Sequence, residues 1–120
     1  MKFVIIYTTI FDLNNQDKLS KIGGVQRYLY ELGLLIKNYY KNDEVVFVQF
    51  GSEYIIDEIK GMKVIQLKNI KIKNAINYLK ENNVLMGDDI LIWGADVLSV
   101  KTNIKSISIQ HGIACDHFST

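Results

Sequence analysis

Three unbroken apolar runs of strand length, Phe3-Val4-Ile5-Ile6-Tyr7, Val45-Val46-Phe47-Val48 and Ile90-Leu91-Ile92-Trp93, constrain this chain more than any other feature. A strand that is apolar at every position has no face for water. Both of its faces must be covered, which is the situation of a parallel sheet held between helices. A shorter run, Met62 to Leu67, and an alternating one, Ser106-Ile107-Ser108-Ile109-Gln110, complete five expected strands. The alternation predicts that the last strand is half-buried, at or near an edge of the sheet.

Between the first two runs, Val25, Tyr28, Leu29, Leu32, Leu35, Ile36 and Tyr39 recur at helical spacing and predict a long helix with one apolar face. Ile72, Ala75, Ile76 and Leu79 predict a second helix ending near Asn82-Asn83, and Ser52-Glu53 is a plausible start for a short one before Gly61. Strands alternating with helices imply right-handed crossovers. The expected fold is therefore α/β, a Rossmann-like parallel sheet with helices on both faces. The strands should lie in the order Met62 run, Val45 run, Phe3 run, Ile90 run, Ser106 run, all parallel.

Fourteen basic and thirteen acidic residues leave a net charge of +1, far from the excess that binding along a nucleic acid requires, so nucleic acid is not an expected partner. Lysines gather at positions 60, 63, 68, 71, 73 and 80. Such a cluster is able to rest on anionic lipid, which would place the protein at the inner face of a cell membrane; a solvated face is the plainer reading. Cys115 is the sole cysteine, so no disulfide and no cysteine-based zinc site forms within the chain, which fits a reducing cytoplasm. The longest apolar run falls far short of the ~20 residues that span a bilayer.

In sheets of this kind ligands bind beyond the carboxyl ends of the strands. Three segments are expected to converge there: Thr8 to Gly24, Gly94 to Asp96, and His111 to Asp116. Gly23-Gly24 stands where the polar loop meets the first turn of the long helix, whose leading N–H groups have no partner inside the helix and attract anions. Two residues without side chains let a phosphate or a sugar hydroxyl approach the backbone; the plainer reading is a hinge. Arg27, the one arginine among fourteen basic residues, is close enough to reach back toward a ligand on those amides and bind phosphate in a bidentate way. His111, followed by Gly112, would stand at the end of the last strand, with Asp116 and His117 in the same loop, although a surface histidine is the ordinary case. No metal site is expected, since these residues match no known ligand spacing. Gly87-Asp88-Asp89 precedes a strand and reads as a turn.

Taken in order, KFVIIYTTIF, KIGGVQRYLYELGLLI, NDEVVFVQFG and ISIQHG resemble the N-terminal domain of glycosyltransferase family 4, of the GT-B fold. The resemblance covers nearly all of the chain. It implies retaining transfer from a nucleotide-diphospho-sugar to a glycan, lipid or small acceptor, with no cofactor and no required metal, as in surface polysaccharide or glycoconjugate synthesis. By position in that family, Gly23 and Gly24 would lie beside the donor diphosphate or the reacting sugar. Arg27 would help hold phosphate or acceptor, His111 would stand at the reacting sugar as the catalytic candidate, and Asp116 would bind substrate. Measured against the family, residues 1–120 are expected to form an N-terminal domain incomplete at its carboxyl end, with the nucleotide-binding second domain absent. The alternative is a non-catalytic Rossmann-like binding or interaction module, which would need neither GG-x-x-R nor His111 at one surface.

Overall fold

A computed structural model describes residues 1–20, 22–95, 102 and 104–109. The elements follow the chain as β1 (Lys2–Ile6), α1 (Gly24–Tyr39), β2 (Glu44–Gly51), β3 (Ile55–Ile59), β4 (Met62–Lys68), α2 (Ile72–Glu81), β5 (Ile90–Trp93) and β6 (Ser106–Ser108). They build one six-stranded sheet in the order β3-β4-β2-β1-β5-β6. The five strands expected from the sequence are mutually parallel and stand in the expected order.

Alternate residues of the apolar strands feed two cores, one on each side of the sheet. Phe3, Ile5, Val45, Phe47, Val64 and Ile92 pack with Leu29, Tyr30 and Ile36 of α1. Val4, Ile6, Val46, Val48, Ile65, Leu67, Leu91 and Trp93 pack with Ala75, Ile76 and Leu79 of α2. Each such side chain, once fully buried, contributes about 1.5–3 kcal/mol, so two-sided coverage of the sheet dominates the fold. It also explains why the central strands carry no polar alternation.

Two expectations need correction. The segment after Ser52-Glu53 is not a short helix but the edge strand β3, antiparallel to β4. Only Lys60 and Gly61 separate Ile59 from its partner Met62, and both have positive φ (53° and 80°), the geometry of a two-residue type I′ hairpin turn. The turn holds the segment beside β4, where a helix would lose the pairing. The buried face of α1 is also rotated from the expected stripe: Leu29, Tyr30, Gly33 and Ile36 are buried, whereas Tyr28, Leu35 and Tyr39 are exposed. Gly33 sets this rotation, because a Cβ there would lie 2.5 Å from the Phe47 ring, and its absence lets the helix press on β2.

Among the described residues β6 pairs only with β5 and leaves Ile107 exposed, in keeping with an edge position. No helix among the described residues is long and apolar enough to cross a membrane. The lysines at 60, 63, 68, 71, 73 and 80 are spread from the β3–β4 turn along β4 and onto α2.

Candidate functional site

A crossover helix runs against the direction of its strands, so the N-terminus of α1 returns to the carboxyl edge of the sheet. Gly23 is its N-cap in an extended conformation and Gly24 its first residue. Among the described residues no side chain caps this end, and no acidic residue stands in the first turn. Among the described residues, a Cβ added to Gly24 would meet nothing within 4 Å, and one on Gly23 would meet only Gln26 Oε1, at 3.1 Å. The leading amides and the positive end of a sixteen-residue helix therefore face outward at the sheet's carboxyl edge.

The loop between β1 and α1 forms the opposing wall. It leaves β1 by extending the pairing with β2, Tyr7 N–H donating to Val48 O and Phe50 N–H to Thr8 O. It then turns inward: Ile10, Phe11 and Leu13 are buried, and the Phe11 ring meets Tyr30 and Phe47 edge-on. Gln26, in the first turn of α1, donates to Thr9 O at 3.4 Å and joins the helix start to this wall. Between them lies a cleft of about 260 Å³ lined by Thr9, Phe11, Asp12, Asn14, Gln26 and Gln66, among others. That is slightly below the roughly 300 Å³ at which sites for drug-sized ligands begin, a size suited to a phosphate or one sugar ring.

Gly94, just past β5, closes the base of this edge. Its N–H donates to Ile6 O at 2.7 Å, and a Cβ there would lie within 3.0 Å of Tyr7, Leu29 and the Ile6 carbonyl. Only glycine lets β5, β1 and α1 converge so closely. The indole N–H of Trp93, fully buried at the end of β5, has no acceptor among the described residues.

Of the residues expected to form the site, Gly23 and Gly24 stand at the predicted place. Arg27 is on the same turn but exposed, and its guanidinium pairs with Glu31 at 3.4 Å, one turn further along the helix. His111 and Asp116, with Asp96 of the expected middle segment, lie outside the described residues. Sequence reasoning passed over Gln26, Gln49 and Gln66, and placed Gly94 at this edge without its packing role. The signal for Gln49 was present: it is the one polar residue within the run Val45 to Phe50.

Larger depressions lie elsewhere. One of about 700 Å³ follows α2 past Lys71, Asn74, Asn77 and Tyr78, and is more open to solvent. Another, of about 420 Å³, lies where Lys37, Glu44, Glu58 and Lys63 meet, at the amino ends of β2 and β4. Gly23 and Gly24 line none of the three, but only the smaller cleft takes a lining residue, Gln26, from the first turn of α1. Among the described residues no group of three or more His, Cys, Asp or Glu side chains is placed to hold a metal ion. No protein-family model, curated protein or solved structure matches this chain.

Proposed function

We propose that this chain is the N-terminal, acceptor-side part of a retaining glycosyltransferase that uses a nucleotide-diphospho-sugar donor, with its substrates meeting at the carboxyl edge of the sheet. The observation that carries the reading is the start of α1: an acid-free helix terminus at Gly23-Gly24, with no side-chain cap and nothing within 4 Å of a Cβ on Gly24 among the described residues. Backbone amides aimed outward there suit a diphosphate, and they would stabilise the charge that grows on a departing nucleotide more than the charge of the bound donor. The cleft beside them presents hydroxyl, carboxylate and amide groups from Thr9, Asp12, Asn14, Gln26 and Gln66, a set suited to sugar hydroxyls.

The same features set a low affinity for this part alone. A helix terminus contributes about 1 kcal/mol, up to ~2, to holding an anion, and Arg27 would first have to leave Glu31. Millimolar binding already needs about 4 kcal/mol. Calorimetric titration of the purified chain with uridine diphosphate glucose is therefore expected to give a dissociation constant of about a millimolar or weaker, with no sugar transfer. A micromolar constant, or measurable transfer, would show that the chain is more than an acceptor-side part.

One observation favours a second reading, a binding module without catalysis: the one arginine is engaged in a surface ion pair instead of facing the helix terminus. Substituting Arg27 separates the two. Weaker sugar-nucleotide binding in Arg27→Ala supports the glycosyltransferase part, and unchanged binding supports the module.

A further inference from the structure

Gln49 is 1% exposed, and every hydrogen-bonding position of its amide is filled. Its Oε1 accepts from Ile10 N–H at 3.0 Å and from Phe11 N–H at 2.9 Å. Its Nε2 donates to Phe11 O at 3.1 Å and to Gln66 Oε1 at 2.8 Å. Three of these four bonds go to two consecutive residues of the wall that lines the cleft. Gln66, the cross-strand partner of Gln49 on β4, donates in turn to Glu53 O at 2.9 Å. Its side chain lies across Gly51, where a Cβ would come within 2.5 Å of Gln66 Nε2.

We propose that Gln49 is the positioning residue of the cleft: from inside the sheet it fixes the course of the loop from Ile10 to Asn14, and with it the spacing between that wall and the start of α1. A polar side chain in an apolar strand costs stability unless it is fully bonded, and here the bonds that satisfy it are the ones that hold the loop. A neutral amide suits the task because it both donates and accepts. A carboxylate would leave Phe11 O and Gln66 without a donor, and an apolar residue would leave four polar groups unmet. That the cleft takes a sugar rests on the reading above; that Gln49 places the loop does not.

Amide hydrogen exchange on the labelled chain tests this without a ligand. In Gln49→Met, exchange at Ile10 and Phe11 should quicken about tenfold or more, and by a clearly larger factor than at Ile5, Val46 and Phe47. Gly51→Ala, whose added Cβ has its three nearest neighbours all in Gln66, should quicken Phe11 by a smaller factor. Gln49→Glu keeps the shape of the side chain. Its neutral form can accept from the loop amides and donate its single O–H, so exchange at Ile10 and Phe11, taken as a ratio to the parent, should be low in acid and rise as the introduced carboxyl ionises. A charge buried at a purely space-filling position would quicken loop and sheet alike, so the positioning role requires a rise at Ile10 and Phe11 that exceeds the rise at Val46 and Phe47. Unchanged exchange at Ile10 and Phe11 in Gln49→Met overturns the proposal, as does equal acceleration of loop and sheet or a flat ratio in Gln49→Glu. Loop release in Gln49→Met, in a parent that fails to bind uridine diphosphate glucose, supports the positioning role and removes only the sugar reading.

Discussion

The two buried polar residues among those described, Asp89 and Gln49, sit at opposite edges of the same sheet and work differently. Asp89, before β5 at the amino edge, is charged: its Oδ1 accepts from Lys2 N–H at 3.0 Å, its Oδ2 from Met86 N–H at 2.8 Å, and Lys2 Nζ lies 3.6 Å from that Oδ2. It ties a tight turn to the start of β1, elements already held by the sheet. Gln49, near the carboxyl end of β2, is neutral and ties down a loop that, among the described residues, makes no backbone hydrogen bond to the sheet beyond Thr8. The amino edge is thus fastened to itself, whereas the carboxyl edge is fastened around a cleft.

Asp89→Ala should show the largest effect. It removes the acceptors of two N–H groups and the partner of Lys2, a loss of about 3–4 kcal/mol read as a lower denaturant midpoint for the whole fold. Gln49→Met should cost about 1–3 kcal/mol, with the loop affected first. An equal or larger global loss than in Asp89→Ala would erase the distinction between the two edges. Gly24→Leu adds a side chain where a Cβ meets nothing within 4 Å among the described residues, so its stability should stay within about 0.5 kcal/mol of the parent. The same change covers the helix amides and should weaken sugar-nucleotide binding roughly fivefold or more, about 1 kcal/mol.

The smallest effect concerns the far end of the loop. Lys18 Nζ lies 3.1 Å from Asp57 Oδ2 on β3 and donates to Leu13 O at 3.2 Å, joining the loop to the edge strand. The N–H of Glu58, and then Lys18, hold the Asp57 carboxyl below the usual carboxylate range. A carboxyl lowered by folding stabilises the protein above its unfolded value, and this contribution disappears as pH falls through the folded value. Asp57→Asn should therefore cost about 0.5 kcal/mol near neutral pH, and the gap to the parent should close below about pH 4. A gap that stays constant with pH would remove Lys18–Asp57 as a fastening.

The central strands and both helices were legible in the sequence because burial on two faces, or on one helical face, leaves an apolar pattern that no other arrangement explains. Strand β3 was not. Its residues Ile55-Ile56-Asp57-Glu58-Ile59 lack strict alternation, and the decisive signal was the two-residue Lys60-Gly61 turn, which is weaker than Asn-Gly. The rotation of α1 was hidden for a related reason: Gly33 has no side chain to count toward an apolar stripe, yet it packs so near β2 that a Cβ on it would lie 2.5 Å from the Phe47 ring. At the site, Gly23-Gly24 could be placed from the point where the helical stripe begins. Arg27 could be placed on its turn but not aimed, since its choice of Glu31 depends on a rotamer. Gln49 stood out as polar among apolar neighbours, but its partners on a loop 38 and 39 residues away are tertiary facts.

The most direct test of the carboxyl-edge site is a residue-resolved titration of the labelled chain with uridine diphosphate glucose, followed by amide chemical shifts. Shifts are expected at Gly23, Gly24, Val25 and Gln26 and along Thr9 to Asn14, rising together and approaching saturation only at about millimolar ligand or above. Shifts confined to the depression along α2 or to the amino ends of β2 and β4, with the start of α1 unmoved, would contradict the account.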